Sequence, residues 1–331
     1  MRRIAIAFAC LFAAATLHAV SVEDQLPTYR PNAVTQPATA RYLAADGAVQ
    51  VVGYNDMGDM LNALALIFTK AHPGVRFAWD LKGTRFAPAA LASGASAFAP
   101  MGAEFTPGQR AEFRAATGAE PIAIRVAHAS LDAKALSGPL AIFVHADNPL
   151  AALALTEVAR VFTGEVSRWG ELGLGGAWAD HPIHLYGVDA ERVLALYLRE
   201  KALGGKVLAK SMRGFPQSTD VVKQVADDKW GIGFAAAMRS NSGVRALALA
   251  AQEGGKAVAP TPEAIMSGTY PLDRFLLIHL RRPIPPVARE FLRLVLSREG
   301  QAAIAASPQG YLPLSAREAA IELAKLDGRN E

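Results

Sequence analysis

Short apolar runs alternate along the chain with longer segments in which apolar residues recur every three or four positions. The run at residues 49–53 is typical of a β-strand, and the segment after it has apolar residues at helical spacing: Met57, Met60, Leu61, Leu64, Ile67 and Phe68. Similar short runs predict strands at residues 75–79, 121–127, 140–144, 183–186, 231–234 and 275–280. Helical spacing predicts helices at residues 88–93, 156–162, 190–203, 220–226, 287–296 and 316–326. This alternation predicts an α/β architecture in which helices cover sheets.

The N-terminus has the pattern of a secretory signal peptide. Arg2 and Arg3 precede an apolar stretch over residues 4–12, and small residues follow as far as Ala19. Because the apolar stretch is too short to span a bilayer comfortably, we expect cleavage after Ala19 and a periplasmic protein. The alternative interpretation is an anchor that is not cleaved.

Composition excludes several classes of function. Cys10 is the only cysteine and lies inside the apolar stretch, too early for lipid attachment, so the exported chain would have no disulfide, thiol nucleophile or cysteine-ligated metal. The formal charge of +4 comes without a run of Lys and Arg, which argues against nucleic acid as a partner. No later apolar run is long enough to predict a membrane span once the signal peptide is removed. The remaining length of roughly 310 residues favours two lobes, since single cores stop growing at about 250–300 residues.

Five segments carry recognisable motifs, in order along the chain. Residues 141–150 end in His-Ala-Asp-Asn-Pro-Leu, and residues 161–172 read Val-Phe-Thr-Gly-Glu-Val-Ser-Arg-Trp-Gly-Glu-Leu. Residues 230–234 are Trp-Gly-Ile-Gly-Phe, and residues 267–275 are Ser-Gly-Thr-Tyr-Pro-Leu-Asp-Arg-Phe. Residues 295–314 begin with Val-Leu-Ser-Arg-Glu-Gly-Gln and end with Gly-Tyr-Leu-Pro-Leu. Together these segments resemble the substrate-binding proteins of phosphate ABC transporters.

The resemblance implies a fold and a division of the chain. The implied fold is an α/β, two-lobed type II periplasmic-binding-protein fold with a central cleft and hinge strands, which closes around its ligand. We expect a signal peptide at residues 1–19 and an extended N-terminal arm at residues 20–48. The first lobe would be discontinuous, with residues 49–146 and 245–318, and the second lobe would comprise residues 147–244. Residues 319–331 would form a C-terminal tail.

In the family, four loops at helix starts hold the anion, because backbone amides, hydroxyls and arginines donate hydrogen bonds to a desolvated oxyanion. The resemblance places Asn55 and Asp56 in the first loop, although either residue could instead be a helix N-cap. In the second loop Thr84 keeps a hydroxyl and Arg85 adds a charge, whereas Phe86 replaces a hydroxyl. The alternative for Arg85 is a solvated loop side chain.

The third and fourth loops depart from the family pattern. The third loop, residues 100–105, lacks the Ser-Arg pair of the family and has an acidic Glu104. In the fourth loop, Val188 stands where the family has arginine, and a Ser-Gly-Thr trio is missing. Asp189, which is also a good N-cap, and Arg192, which is equally an exposed helix residue, remain as candidates.

Ser218 and its neighbour Thr219 complete the set of candidate ligand-binding residues. Ser218 matches a hydroxyl position of the family, and the alternative is a helix cap. Because each missing hydrogen bond to a buried anion costs about 1.5–3 kcal/mol, the lost donors predict weak phosphate binding.

No motif in the chain predicts catalysis or a cofactor. His181 and His184 have a spacing that could suit a metal, but Pro182 follows the first and no third ligand is evident. Residues 173–178 fail the dinucleotide fingerprint because Trp178 stands in the place of the third glycine. Together with the resemblance, this predicts a solute-binding protein that is not an enzyme. The resemblance implies a small anionic ligand, phosphate or a related oxyanion, and an ABC permease as a possible partner. The alternative is a divergent relative that acts as a sensor, adhesion or envelope-interaction protein.

Overall fold

The computed structural model describes residues 22–328, so the predicted signal peptide lies outside the described residues. The strands are β1 Val49–Val52, β2 Phe77–Asp80, β3 Ala99–Met101, β4 Ile122–His128, β5 Leu140–His145, β6 Ala152–Ala154, β7 His184–Val188, β8 Arg213–Phe215, β9 Gly231–Ala236, β10 Val244–Ala246, β11 Ala248–Ala250 and β12 Phe275–Leu280. The helices are α1 Gly58–Ala71, α2 Ala87–Ser93, α3 Pro107–Thr117, α4 Leu155–Phe162, α5 Val193–Lys201, α6 Ser218–Asp227, α7 Pro262–Met266, α8 Pro286–Val295, α9 Arg298–Ala305 and α10 Ala316–Leu326. The predicted α/β class is confirmed.

The described residues form three apolar clusters. The two largest mark the two lobes, and the smaller third one packs helices α2 and α3 on strand β3 of the first lobe. In the first lobe, β1 pairs with β2 in parallel, and β12 lies between β3 and β4 in an antiparallel sheet. Helices α1 and α8 cover these strands with buried aromatic side chains. The ring of Phe291 lies 5.6 Å from that of Phe68 and stacks on that of Phe98 at 5.1 Å.

The second lobe is built on a five-stranded sheet with the order β10-β5-β9-β7-β8. Strand β7 runs parallel to both β8 and β9, whereas β5 is antiparallel to β9 and β10. All six residues of β9 are buried, because helices pack on the sheet. The ring of Phe162 on α4 meets Phe234 of β9 at 5.3 Å.

The second lobe is larger than the predicted residues 147–244. Strand β5, which was assigned to the first lobe, pairs with β9, with Ile142 opposite Phe234. After β10, Leu249 pairs with Leu153, and the Tyr270 hydroxyl donates to the carbonyl of Leu140 at 2.9 Å. The second core accordingly contains residues from Leu140 to Leu272, and Leu312 also packs on it. Periodicity could not place this limit, because it reports that a segment is a strand but not which distant strand it pairs with.

One predicted helix agrees with the structure in its limits, and three helices were missed. Helix α10 begins and ends as predicted and buries Ala319 and Leu326 on the first lobe, so residues 319–326 are not a free tail. Helices α3, α7 and α9 were not predicted. The signal of α7 is short because it has only five residues. The amphipathic signal of the other two is weak, because α3 buries only Phe113 and the one large apolar side chain that α9 buries is Ile304.

The described part of the N-terminal arm, from Val22 onward, is extended and is tied to the first lobe. The carboxylate of Glu290 on α8 is buried and accepts three hydrogen bonds from the arm. They come from the hydroxyl of Tyr29 at 3.0 Å, the backbone amide of Asn32 at 2.9 Å and the Asn32 side chain at 3.0 Å. One buried carboxylate therefore anchors the arm.

Within residues 22–328, none of the helices has the length and apolar character that crossing a bilayer requires.

Replacing Glu290 with alanine tests the anchor of the arm. We expect the unfolding free energy of the first lobe to fall by about 2–4 kcal/mol, because the donors of Tyr29 and Asn32 lose a buried charged acceptor. Chemical denaturation followed by circular dichroism measures the loss. The control is Glu112→Ala on the exposed face of α3, which we expect to change stability by less than about 0.5 kcal/mol. A loss from Glu290→Ala as small as that of the control would contradict the anchor.

Candidate ligand-binding cleft

The first three candidate loops meet at one edge of the first lobe. Strands β1 and β2 are parallel, so the loops that follow them leave the sheet at the same end. The amide of Gly83 donates to the carbonyl of Gly53 at 2.9 Å, and the amide of Tyr54 donates to Pro100 at 2.9 Å. A side chain at Gly53 would place its Cβ 2.4 Å from the Pro100 ring, so this contact between loops requires glycine.

The fourth loop and the start of α6 meet at the corresponding edge of the second lobe. Strands β7 and β8 are parallel, with Val188 opposite Phe215. The amide of Asp189 donates to the carbonyl of Phe215 at 2.9 Å. Each lobe therefore presents its candidate loops at the carboxyl ends of parallel strands, where α/β proteins usually bind ligands.

A cavity of about 680 Å³ lies between the lobes. One wall comes from residues 103–107, the start of β12 and Glu318, and the other from α5 and the glycines after it. The third loop reaches the cavity through Glu104, and the fourth through Val193. The volume falls within the range of about 300–1,000 Å³ that is usual for small-molecule sites. None of the eight candidate residues lies on its wall, and their role as ligands stays a prediction.

In the first loop, Asp56 is already engaged within the first lobe. One oxygen of its carboxylate accepts from the amide of Leu136 at 2.8 Å and from the hydroxyl of Tyr311. Asn55 is exposed. The alternative that either residue is a side-chain N-cap is wrong, because Tyr54 and Met57 occupy the cap positions without capping hydrogen bonds.

The second loop contains the hydroxyl of Thr84, the guanidinium of Arg85 and the ring of Phe86. Thr84 opens a short 3-10 turn and is half-buried. Arg85 is exposed, and its guanidinium lies 4.6 Å from the centre of the Phe86 ring. Phe86 is itself 41% exposed, so the ring lies at the surface of this loop.

In the second lobe, the predicted caps differ from those observed. Helix α5 begins after Arg192, which is exposed and makes no capping hydrogen bond, so the prediction of Asp189 as N-cap is wrong. Asp189 instead lies in the turn before it, where its carbonyl accepts from the amide of Arg192 at 2.8 Å. Ser218 is not a cap either, because its hydroxyl accepts from the amide of Ala236 at 3.2 Å. Thr219 is exposed on α6.

The histidines of the suggested metal pair have other contacts. The ring of His181 stacks on Trp230 at 3.5 Å, and His184 Nδ1 lies 2.7 Å from the carboxylate of Asp228.

Sequence reasoning missed Arg274 and Tyr197, which join the two walls of the cavity. The guanidinium of Arg274 donates to the carbonyls of Gly102 at 2.9 Å and Gly138 at 3.4 Å, and it lies 5.6 Å from the centre of the Tyr197 ring. The Tyr197 hydroxyl, on α5, donates to the carbonyl of Asp273. Arg274 lies within one of the five family motifs, which was a usable signal. Tyr197 had no such signal because only the packing of the lobes brings it to Asp273.

A buried acid–histidine–acid triad lies beside the cavity. His128 is fully buried, with Nδ1 at 2.6 Å from Asp273 and Nε2 at 3.1 Å from Glu318. Burial alone would lower the pKa of His128, but the hydrogen bonds and charges of the two carboxylates outweigh it and raise the pKa to about 9. Burial likewise acts to raise the pKa of Glu318, but the contact with His128 leaves it below its usual range. The triad ties the start of α10 to the connection between the lobes.

Glu104 brings a carboxylate into the cavity where the family has its anion-binding loop. Desolvation raises the pKa of Glu104. The nearest histidine nitrogen, Nε2 of His279, lies 3.8 Å away. Burial and the charge of Arg110 lower the pKa of His279 to about 3, so its ring is neutral at physiological pH.

A family model described as a PBP superfamily domain matches residues 35–299. The phosphate-binding protein PstS of Pseudomonas aeruginosa is 31% identical over 302 residues, which cover 87% of this chain and 90% of that protein. The chain belongs to the PBP superfamily. The phosphate-binding protein PstS of Bacillus subtilis is 27% identical over 193 residues, which cover 56% of this chain and 60% of that protein.

Solved structures show the fold that this PBP-superfamily chain shares. An ABC-type phosphate transport receptor from Vibrio cholerae matches with a TM-score of 0.56 and 18% identity, over 80% of this chain and 98% of that one. A possible phosphate-binding protein from Planctomyces limnophilus matches with a TM-score of 0.51 and 21% identity, over 86% and 99%. The predicted periplasmic-binding-protein fold is confirmed by these likenesses.

The triad predicts a stability contribution that depends on pH. The pKa of His128 is about 9 in the folded protein, compared with 6.5 for the unperturbed side chain of the unfolded chain. The contribution of the charged histidine to stability is therefore complete below about pH 6.5 and is lost as pH rises through 9. We expect the difference in unfolding free energy between the wild type and His128→Gln to shrink by about 3 kcal/mol across this range. Denaturant titrations at pH 6, 7.5 and 9 measure it. A difference that does not change with pH would contradict a charged triad.

Proposed function

We propose that this protein is a periplasmic solute-binding subunit that captures a small ligand with an anionic group between its lobes and closes around it. The observation that carries the proposal is the cavity of about 680 Å³, whose walls come from both lobes. Because the two cores are separate, each lobe can move as a body when a ligand bridges the walls. The names of the relatives support phosphate or a related oxyanion as the ligand class and an ABC permease as the partner.

The charges on the cavity wall support an anionic group in the ligand. Arg125 and Arg274 both lie on the wall. Thr84 and Arg192 stand at the loop edges on either side, and we propose that they approach the ligand on closure. Asp56 already accepts hydrogen bonds from its own lobe, so it would not need to bind the ligand.

A binding role is favoured over catalysis. The relatives with which the chain shares a family are named for binding and transport. His128 resembles a catalytic base in having carboxylates at both nitrogens, but it is fully buried and both nitrogens are occupied.

The missing phosphate donors also favour a second candidate function. The third loop lacks the Ser-Arg pair, and the fourth has Val188 in place of arginine. A divergent relative that acts as a sensor, adhesion or envelope-interaction protein would tolerate this loss.

Hinge closure can be measured with spin labels, because the only cysteine lies in the predicted signal peptide. The variant Glu112→Cys with Glu191→Cys places one exposed label on each lobe. We expect the distance between the labels to shorten by several ångströms on addition of millimolar phosphate or an alkylphosphonate, measured by double electron–electron resonance. The control pair, Glu112→Cys with Arg317→Cys, lies within the first lobe and should not change. If no anion shortens the distance between the lobes, the proposed function fails.

Phosphate itself should bind weakly. Each absent donor removes about 1.5–3 kcal/mol of charge-assisted hydrogen bonding, so we expect a dissociation constant for phosphate well above micromolar. Isothermal titration calorimetry at neutral pH measures it, with PstS of Pseudomonas aeruginosa as the control. A micromolar or tighter constant would show that other groups replace the missing donors.

A further inference from the structure

Two groups of opposite charge on the cavity wall, the Arg274 guanidinium and the Glu104 carboxylate, form no close ion pair with a Lys, Arg, Asp or Glu side chain of residues 22–328. The guanidinium of Arg274 is held by backbone carbonyls and the Tyr197 ring, and within residues 22–328 no carboxylate lies within 4.0 Å of it. The side chain of Glu104 is 53% exposed, and the neutral ring of His279 lies 3.8 Å from its carboxylate. The charge of Arg125 acts to lower the pKa of Glu104 from a longer distance. Both groups face the same cavity without pairing with each other.

The other charged side chains on the wall are satisfied within the protein or lie in water. Asp273 and Glu318 both contact His128. The Arg125 Nε lies 3.9 Å from a carboxylate oxygen of Glu322. The remaining charged residues on the wall belong to the last turn of α5, where Glu200 and Lys201 are exposed. The third, Arg199, is half-buried, and its Nε donates to the carbonyl of Lys206 at 3.4 Å.

Arg274 is partly buried, whereas Glu104 keeps about half of its side chain, 53%, in contact with water. Burial lowers the pKa of Arg274 and raises that of Glu104, so each charged form is less favourable than it would be in water. A charge that has lost water gains most from a partner of opposite sign. Filling the cavity with a ligand that carries both signs would provide both partners.

The wall between these charges is largely apolar. Phe105, Leu196 and Phe275 line it, and Val193 is 38% exposed at the start of α5. The resemblance aligns Val193 with the glycine of the family's Ser-Gly-Thr trio, so an apolar side chain stands where the family has none. A bare oxyanion has no hydrocarbon with which to cover this surface.

We propose that the cavity binds an organic zwitterion whose anionic group lies against Arg274 and whose ammonium group lies against Glu104. The hydrocarbon between the two groups packs on Phe105, Leu196 and Phe275. This inference rests on the proposed function, and it names the class of solute that the cleft selects.

The test compares probes that differ in one group. Isothermal titration calorimetry of the exported protein at neutral pH would use 4-aminobutylphosphonate, butylphosphonate, butylamine and inorganic phosphate. We expect the zwitterion to bind at least about tenfold tighter than butylphosphonate, because the ammonium gains a charge-assisted hydrogen bond. Butylamine, which lacks the anion, should bind at least about tenfold more weakly than the zwitterion.

Variants of Glu104 assign the ammonium end. Glu104→Gln should reduce the advantage of the zwitterion over butylphosphonate to less than about twofold, whereas Glu104→Asp keeps the charge and most of the advantage. The matched control, Glu112→Gln on the exposed face of α3, should leave the advantage unchanged. Thermal unfolding of each variant shows whether it is folded.

The outcomes separate this inference from the proposed function. If butylphosphonate or phosphate binds as tightly as the zwitterion, or if Glu104→Gln keeps the preference, the zwitterion is rejected while anion capture stands. If no probe with an anionic group binds, both proposals fail.

Discussion

Parallel pairing of strands is the constraint on which the cleft depends. In each lobe, two neighbouring parallel strands end at the same edge, so the loops that follow them must lie together. The close contact of Gly53 with Pro100 brings the third loop to the same edge of the first lobe. Helices α5 and α6 begin at the corresponding edge of the second lobe. The position of the cleft thus follows from strand direction, whichever side chains the loops carry.

Some charged side chains around the cleft form ion pairs within the protein, and others have no ion-pair partner among the described residues. The His128 triad and the Arg125–Glu322 pair are complete, and they hold α10 against the connection between the lobes. Arg274 is held by carbonyls instead of a carboxylate. A group that is positioned firmly but left without an opposite charge can bind a ligand with little reorganisation. This difference separates the structural ion pairs from the groups available for recognition.

The elements of the fold could be predicted wherever the apolar pattern was strong. Helix α10 and strand β12 begin and end as the spacing indicated. Helix α3 escaped prediction, although Thr106 and Gln109 form a capping box at its start, because it buries only Phe113. The candidate site was less predictable. Asp56, Asp189 and Ser218 were chosen by residue type and position, but their partners lie on segments distant in sequence.

By itself, the sequence determined the α/β class, most helices and strands, and the order of the family motifs. These depend on local spacing and residue identity, which can be read from neighbouring positions. Only the tertiary structure decided that β5 belongs to the second lobe and that Arg274 and Glu104 face one cavity. It also decided that the hydroxyl of Tyr311 donates a hydrogen bond to the carboxylate of Asp56. These contacts join residues that are far apart in the chain. Local periodicity cannot predict them, because it reports only on neighbouring positions.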